Sequence, residues 1–127
     1  MVHTVISNKY KKSVTLHFVA NATVTIVGNN TVSNVAQQDE IILGATIQQV
    51  WHGCPDGAHW VVTRGNSTVN SIVAVFNSSD YIDYAGAGAA HNVAATGQNL
   101  YVTLNGGVNG YIMIDLKKIG NNNFNKV

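Results

Sequence analysis

The ten residues "WHGCPDGAHW", Trp51 to Trp60, set two histidines, a cysteine and an aspartate between two tryptophans. No other stretch of the chain is so dense in reactive side chains. Zinc could draw on His52, Cys54 and His59, with Asp56 as a fourth, oxygen ligand. Those ligands would have to converge, and convergence depends on how the chain turns. Cys54-Pro55-Asp56-Gly57 suits a type I turn followed by Gly57 at positive φ as a bulge. Such a hairpin pairs Val50 with Val62, His52 with Trp60 and Trp51 with Val61. His52 and His59 then fall on opposite faces of the ribbon and cannot share a metal. A two-residue loop would pair the two histidines, but Pro55 fits poorly to the positive φ a type I′ turn requires. The expectation is therefore no metal and no cofactor. A nucleophilic Cys54 would need a histidine base and oxyanion donors. A tight hairpin tip offers neither pocket nor donors, so Cys54 reads as a half-buried thiol beside a turn.

Other candidate frames are weaker. Asp80 and Asp83 stand three apart, so on a strand they point to opposite faces and cannot form an acid–base pair. Asp39 and Glu40 are adjacent and read as a turn. "AGAGAAH" (85–91) lacks the Lys-Ser/Thr of a P-loop and has His91 where a dinucleotide fingerprint needs a small residue. Trp51, Trp60, Tyr81, Tyr84, Tyr101 and Tyr111 could form a sugar-stacking platform, but each sits in an alternating strand, where packing is the default use. No enzyme frame emerges.

The elements that would position these residues are strands. "SVTLHFVA" (13–20) alternates Val14, Leu16 and Phe18 with polar neighbours, and "ATVTIV" (22–27) repeats the pattern. Residues 45–52, 59–64, 68–76, 79–84, 99–105 and 110–117 are rich in β-branched and aromatic types. Between them stand Gly- and Asn-rich turns, where positive φ costs little. "NGGVNG" (105–110) is expected to close a hairpin between 99–105 and 110–117. Residues 85–96 are the only helical candidate, and a loop or single turn is the better reading there. The expected fold is all-β: one antiparallel sandwich of eight to ten short strands, jelly-roll-like or a small barrel, over residues 1–119. Residues 1–12 could act as an interaction arm, and 120–127 as a flexible or docking tail.

Composition narrows the function classes. Only 10% of the 127 residues are charged and the net charge is +1, against roughly 25% charged in an average soluble protein. Such a chain lacks the basic stripe of a nucleic-acid binder. Its two lysine clusters, Lys9/Lys11/Lys12 and Lys117/Lys118, read as solvated strand ends or as contacts to an acidic protein surface. No apolar run approaches the ~20 residues of a membrane helix. One cysteine allows no internal disulfide, and no signal peptide is visible, so synthesis in a reducing cytosol is expected. The sequons at Asn21, Asn29, Asn66 and Asn77 are read as unmodified. Low net charge favours life inside an assembly.

The order of segments adds a resemblance. "WVVTRG", an apolar strand, "YIDYAG", "NLYVTL" and the closing "GYIMIDLKK" follow one another. In this the chain resembles a group of small structural proteins of tailed bacteriophages, over residues 45–119 and more weakly in "MVHTV". The resemblance implies a virion β-sandwich, most plausibly a capsid decoration (cement) protein. It implies a major capsid protein as partner, self-association around a capsid symmetry axis, and a place on the outer surface of the head. It transfers no catalytic residue, and "HGCPDGAH" is not part of it. Candidate contacts are Lys9, Lys11 and Lys12 on the N-terminal strand, Asp56 at a turn tip, and Phe124 in the Asn-rich tail. The alternatives are a tail, neck or fibre component, or a carbohydrate-binding module.

Overall fold

A computed structural model describes residues 3–65, 70–84, 91–94 and 99–120. They form ten strands in two antiparallel sheets, with no helix among the described residues. The strands are β1 (His3–Asn8), β2 (Ser13–Phe18), β3 (Ala22–Thr25), β4 (Ile42–Gly53), β5 (His59–Gly65), β6 (Asn70–Asn77), β7 (Asp80–Asp83), β8 (His91–Ala94), β9 (Asn99–Asn105) and β10 (Tyr111–Gly120). The fold class is the all-β sandwich that the alternation predicts.

One sheet runs β1-β2-β10-β4, with β7 and β8 both on the far side of β4; the other runs β3-β9-β5-β6. β7 and β8 are two halves of one edge. Asp83 stands opposite Gln49, yet His91 stands opposite Ile47, where an uninterrupted strand would bring residue 85. With the two halves counted as one strand, β2 to β10 make eight strands. Their order is first-eighth-third-sixth in one sheet and second-seventh-fourth-fifth in the other. That is the strand order of a jelly roll, with β1 added outside β2.

The period-two pattern builds the core directly. Val14, Leu16 and Phe18 of β2 face inward with Ile112, Ile114 and Leu116 of β10 and Ile47 and Val50 of β4. Trp60 and Val62 of β5 and Leu100 and Val102 of β9 meet them from the other sheet. Each such side chain contributes about 1.5–3 kcal/mol by leaving water.

Several expectations from sequence are corrected. β4 and β5 are not a hairpin. β10 occupies one edge of β4 and β7 with β8 the other, while β6 and β9 flank β5, so the two strands have no edge left to share. "CPDG" instead carries the chain from one sheet to the other, and the strands meet through side chains across the core. The expected pairings of Val50 with Val62, His52 with Trp60 and Trp51 with Val61 are therefore replaced. "NGGVNG" also crosses between sheets, because β9 and β10 belong to different ones. β1 folds back on β2 as a hairpin and forms the sheet edge. Within the 85–96 stretch, His91–Ala94 is strand, and the glycine-alanine run before it lies outside the described residues. So does the tail 121–127 with Phe124, whereas Gly120 ends β10.

Candidate functional site

The arch from Gly53 to Ala58 is fixed by its own backbone. Ala58 N–H donates to Pro55 O at 3.0 Å, and Gly57 takes φ +83°. The turn is thus centred on Asp56-Gly57, one residue later than the sequence suggests, and Gly57 has the positive φ expected of it. The arch parts His52 from His59, whereas His52 Nδ1 and Cys54 Sγ both approach Ser78 O, at 3.2 and 3.8 Å. His52 is buried against Phe76, ring centroids 4.9 Å apart, with Nδ1 3.2 Å from Ser78 O. A carbonyl only accepts, so the imidazole proton sits on Nδ1. His59 lies on the outer face of the other sheet, between Asn77 and Asn105. Cys54 is half-buried and its thiol donates to Ala58 O at 3.3 Å. Asp56 is exposed at the tip. An open cleft of about 640 Å³ beside the arch is lined by Asp56, His59, Val75, Asn77 and Ser78. Among the described residues no three His, Cys, Asp or Glu groups gather as metal ligands. The cleft offers hydrogen-bonding groups.

A second assembly spans the outer face of the β1-β2-β10-β4-β7 sheet. Register places His17 beside Met113, Met113 beside Trp51, and Trp51 beside Tyr81. Trp51 and Tyr81 stack at 5.1 Å between centroids with 30° between planes. Tyr111, on the same face, lies over Gly53, where an added methyl carbon would stand 2.5 Å from its ring. The neighbouring row is polar: Thr15, Asp115, Gln49 and Asp83 lie side by side. Burial pushes the Asp115 carboxyl up, partly offset by the Thr15 hydroxyl at 3.3 Å and the charge of Lys9. Of the aromatic candidates, Trp60 does not belong here: it is fully buried and its Nε1 donates to Gly53 O at 3.2 Å.

The third assembly holds the lysines. Lys9 and Lys12 are exposed in the β1–β2 turn, and Lys11 is half-buried there at φ +56°. Lys118, expected at a solvated strand end, is buried. Its Nζ stands 2.9 Å from Glu40 Oε2 and 2.6 Å from Asn8 Oδ1. Glu40 lies in the turn that Asp39 and Glu40 predict, with Asp39 at φ +67°. Its carboxylate also accepts the backbone N–H groups of Lys11 and Gln37. Burial pushes that carboxyl up, but the bonds from Gln37, Lys118 and Lys11 outweigh it and hold the group below the usual range. The pair was legible in principle: Lys118 continues the inward phase of Ile112, Ile114 and Leu116, and a lysine there needs a partner.

Comparison with protein-family models, with curated proteins and with solved structures yields no match in any of the three.

Proposed function

We propose that this protein is a non-enzymatic virion component, a decoration protein that binds and stabilises the outer surface of a phage head. The observation that carries the reading is a nearly uncharged jelly roll with the phage-like order of segments, one end of which displays small apolar tips. Val108, 84% exposed in the β9–β10 crossover, and Val19, 55% exposed after β2, flank a shallow cleft with Asn21 and Leu104. Asp56 projects from the same end. A surface with so little charge can cover joints between capsid subunits while burying little unpaired charge. The fold itself serves viral capsid domains and lectins alike, so it supports the reading without deciding it. Quantitative mass spectrometry of purified virions tests it. Hundreds of copies per particle are expected, and Val108→Asp should lower head occupancy. A few copies per particle would point to a tail, neck or fibre position instead.

A carbohydrate-binding role is the second reading, and the row of Tyr81, Trp51 and Met113 beside Asp83, Gln49 and Asp115 favours it. A sugar ring has an apolar C–H face and a rim of hydroxyls, and adjacent apolar and carboxylate/amide rows suit both. Glycan-array binding that disappears in Trp51→Ala would support this reading. No binding to any glycan would end it.

A further inference from the structure

The four lateral edges of the sandwich are not alike. β3 is four residues long, β7 and β8 are four each and offset, and β1 is six with a bulge between Val5 and Ser7. Short or broken edges resist further pairing, and β1, bulged as β6 is, offers a run two residues shorter. β6 is different. Its eight residues, "NSIVAVFN", contain no charge, no proline and no glycine, and among the described residues no strand lies beyond it. Alternate N–H and C=O groups along such an edge point away from β5 and can be matched by another extended strand. Its one irregularity, the bulge at Val73, brings Ile72 and Val75 to the same outer face. Ile72 stands opposite Thr63 and Val75 opposite Val61, and the two are 68% and 54% exposed.

We propose that two copies of this chain join edge to edge through β6, antiparallel about a two-fold axis between Val73 and Ala74, making one continuous eight-stranded sheet from two four-stranded ones. Three observations select a second copy as the occupant. An uncharged strand buries no unpaired charge only against another uncharged strand, and β6 is its own match. In this register Ile72 of one copy lies beside Val75 of the other, so both exposed apolar side chains are covered by one symmetric contact. A chain with net charge +1 repels its copy little. The inference rests on the sheet edge alone and does not depend on the virion reading. Head occupancy tests that reading; mass in solution tests this one.

The experiment is sedimentation equilibrium of the full chain at tens to hundreds of micromolar. The expected mass is twice 13.5 kDa. Ile72→Lys and Val75→Lys should each halve it while leaving circular dichroism unchanged, since both side chains face solvent in the single chain. Ile41→Lys, at an exposed apolar site just before β4 and away from β6, should leave the dimer intact. Mixing Ile72→Cys with Val75→Cys chains under oxidation should give a mixed disulfide in preference to either homodimer. A monomeric wild type would overturn the proposal. So would a dimer that survives both lysine variants, or cross-linking without preference for the mixed species.

Discussion

At one end of the sandwich lie four short crossovers, residues 19–21, 54–58, 78–79 and 106–110, of which the second and fourth pack backbone against backbone. At the other, the β1–β2 turn and the long stretch 26–41 are held by buried side chains. The first end depends on glycine. A methyl at Gly106, which takes φ +80°, would stand 2.6 Å from Gly57 O, and one at Gly110 would stand 2.9 Å from Gly53 O. The second end depends on polar satisfaction. Ser33 Oγ donates to Ile26 O at 2.6 Å and accepts from Val35 and Ala36 N–H, while Glu40 gathers Lys118, Lys11 and Gln37. Short crossovers expose few backbone groups, so close approach can fix them. A long stretch laid over the core carries many N–H and C=O groups, and each must be matched. The contrast implies that the two ends fail differently.

The largest effect is expected at the polar end. Glu40→Ala leaves the Lys118 ammonium buried without its counter-ion and two backbone N–H groups without an acceptor. Breaking a buried pair in this way costs about 3–5 kcal/mol, to be read from urea unfolding. Replacing both partners, with Glu40→Leu and Lys118→Met, should restore part of that loss, because no lone charge remains. The same carboxyl sets a pH response. Its folded pKa lies below the ordinary 4.5, so its contribution is fully present above that value and is lost as pH falls through the lowered one. Glu40→Gln should flatten that acid limb. An acid limb identical in wild type and Glu40→Gln would assign the response elsewhere. Asp115 has the opposite sign. Burial raises its pKa, so its charge opposes folding above about 3.8 and the penalty is relieved on acidification, and Asp115→Asn should stabilise slightly at neutral pH.

A smaller loss is expected at the glycine end. Gly106→Ala forces a side chain into positive φ and against a backbone oxygen that cannot easily move, at a cost of about 1–3 kcal/mol. Gly57→Ala is the informative partner. It also has positive φ, but nothing lies within 4 Å of its added methyl carbon, so it should lose less than Gly106→Ala. Equal losses would mean that φ alone, and not close packing of the two crossovers, holds this end.

The contrast between the ends also explains what could be read from sequence. Alternation located Val14, Leu16, Phe18, Ile112 and Ile114 because burial on one face is a local, period-two property. Turn chemistry put a turn at 54–57, one residue early, and a positive φ at Gly57, which the backbone has. It could not tell a hairpin from a crossover, because a turn does not record which strand will occupy a neighbouring edge. That is decided by β10 and β9, some fifty residues away, and so the pairing of His52 with Trp60 failed. Glu40 and Lys118 are likewise joined only by the fold, although the inward phase of Lys118 was a usable signal. The stacked Trp51 and Tyr81 come from neighbouring strands in space that are separated in sequence by the whole of β5 and β6.

The smallest effect concerns the exposed residues at both ends, and it separates stability from binding. Lys9 and Lys12 at the polar end and Asp56 at the glycine end are all exposed, and no side-chain hydrogen bond or ion pair to them is found among the described residues. Lys9→Ala, Lys12→Ala and Asp56→Ala should each change unfolding free energy by less than about 0.5 kcal/mol. Lys11 is the exception within its cluster, since its backbone N–H is bound to Glu40 and its φ is positive. If these side chains touch a capsid, the effect must appear in head occupancy while melting stays unchanged. Loss of occupancy in Lys9→Ala and Lys12→Ala with Val108→Asp unaffected would place the contact at the polar end, on the side-chain-clamped hairpin. The reverse pattern would place it at the glycine end, on the exposed apolar tips Val108 and Val19.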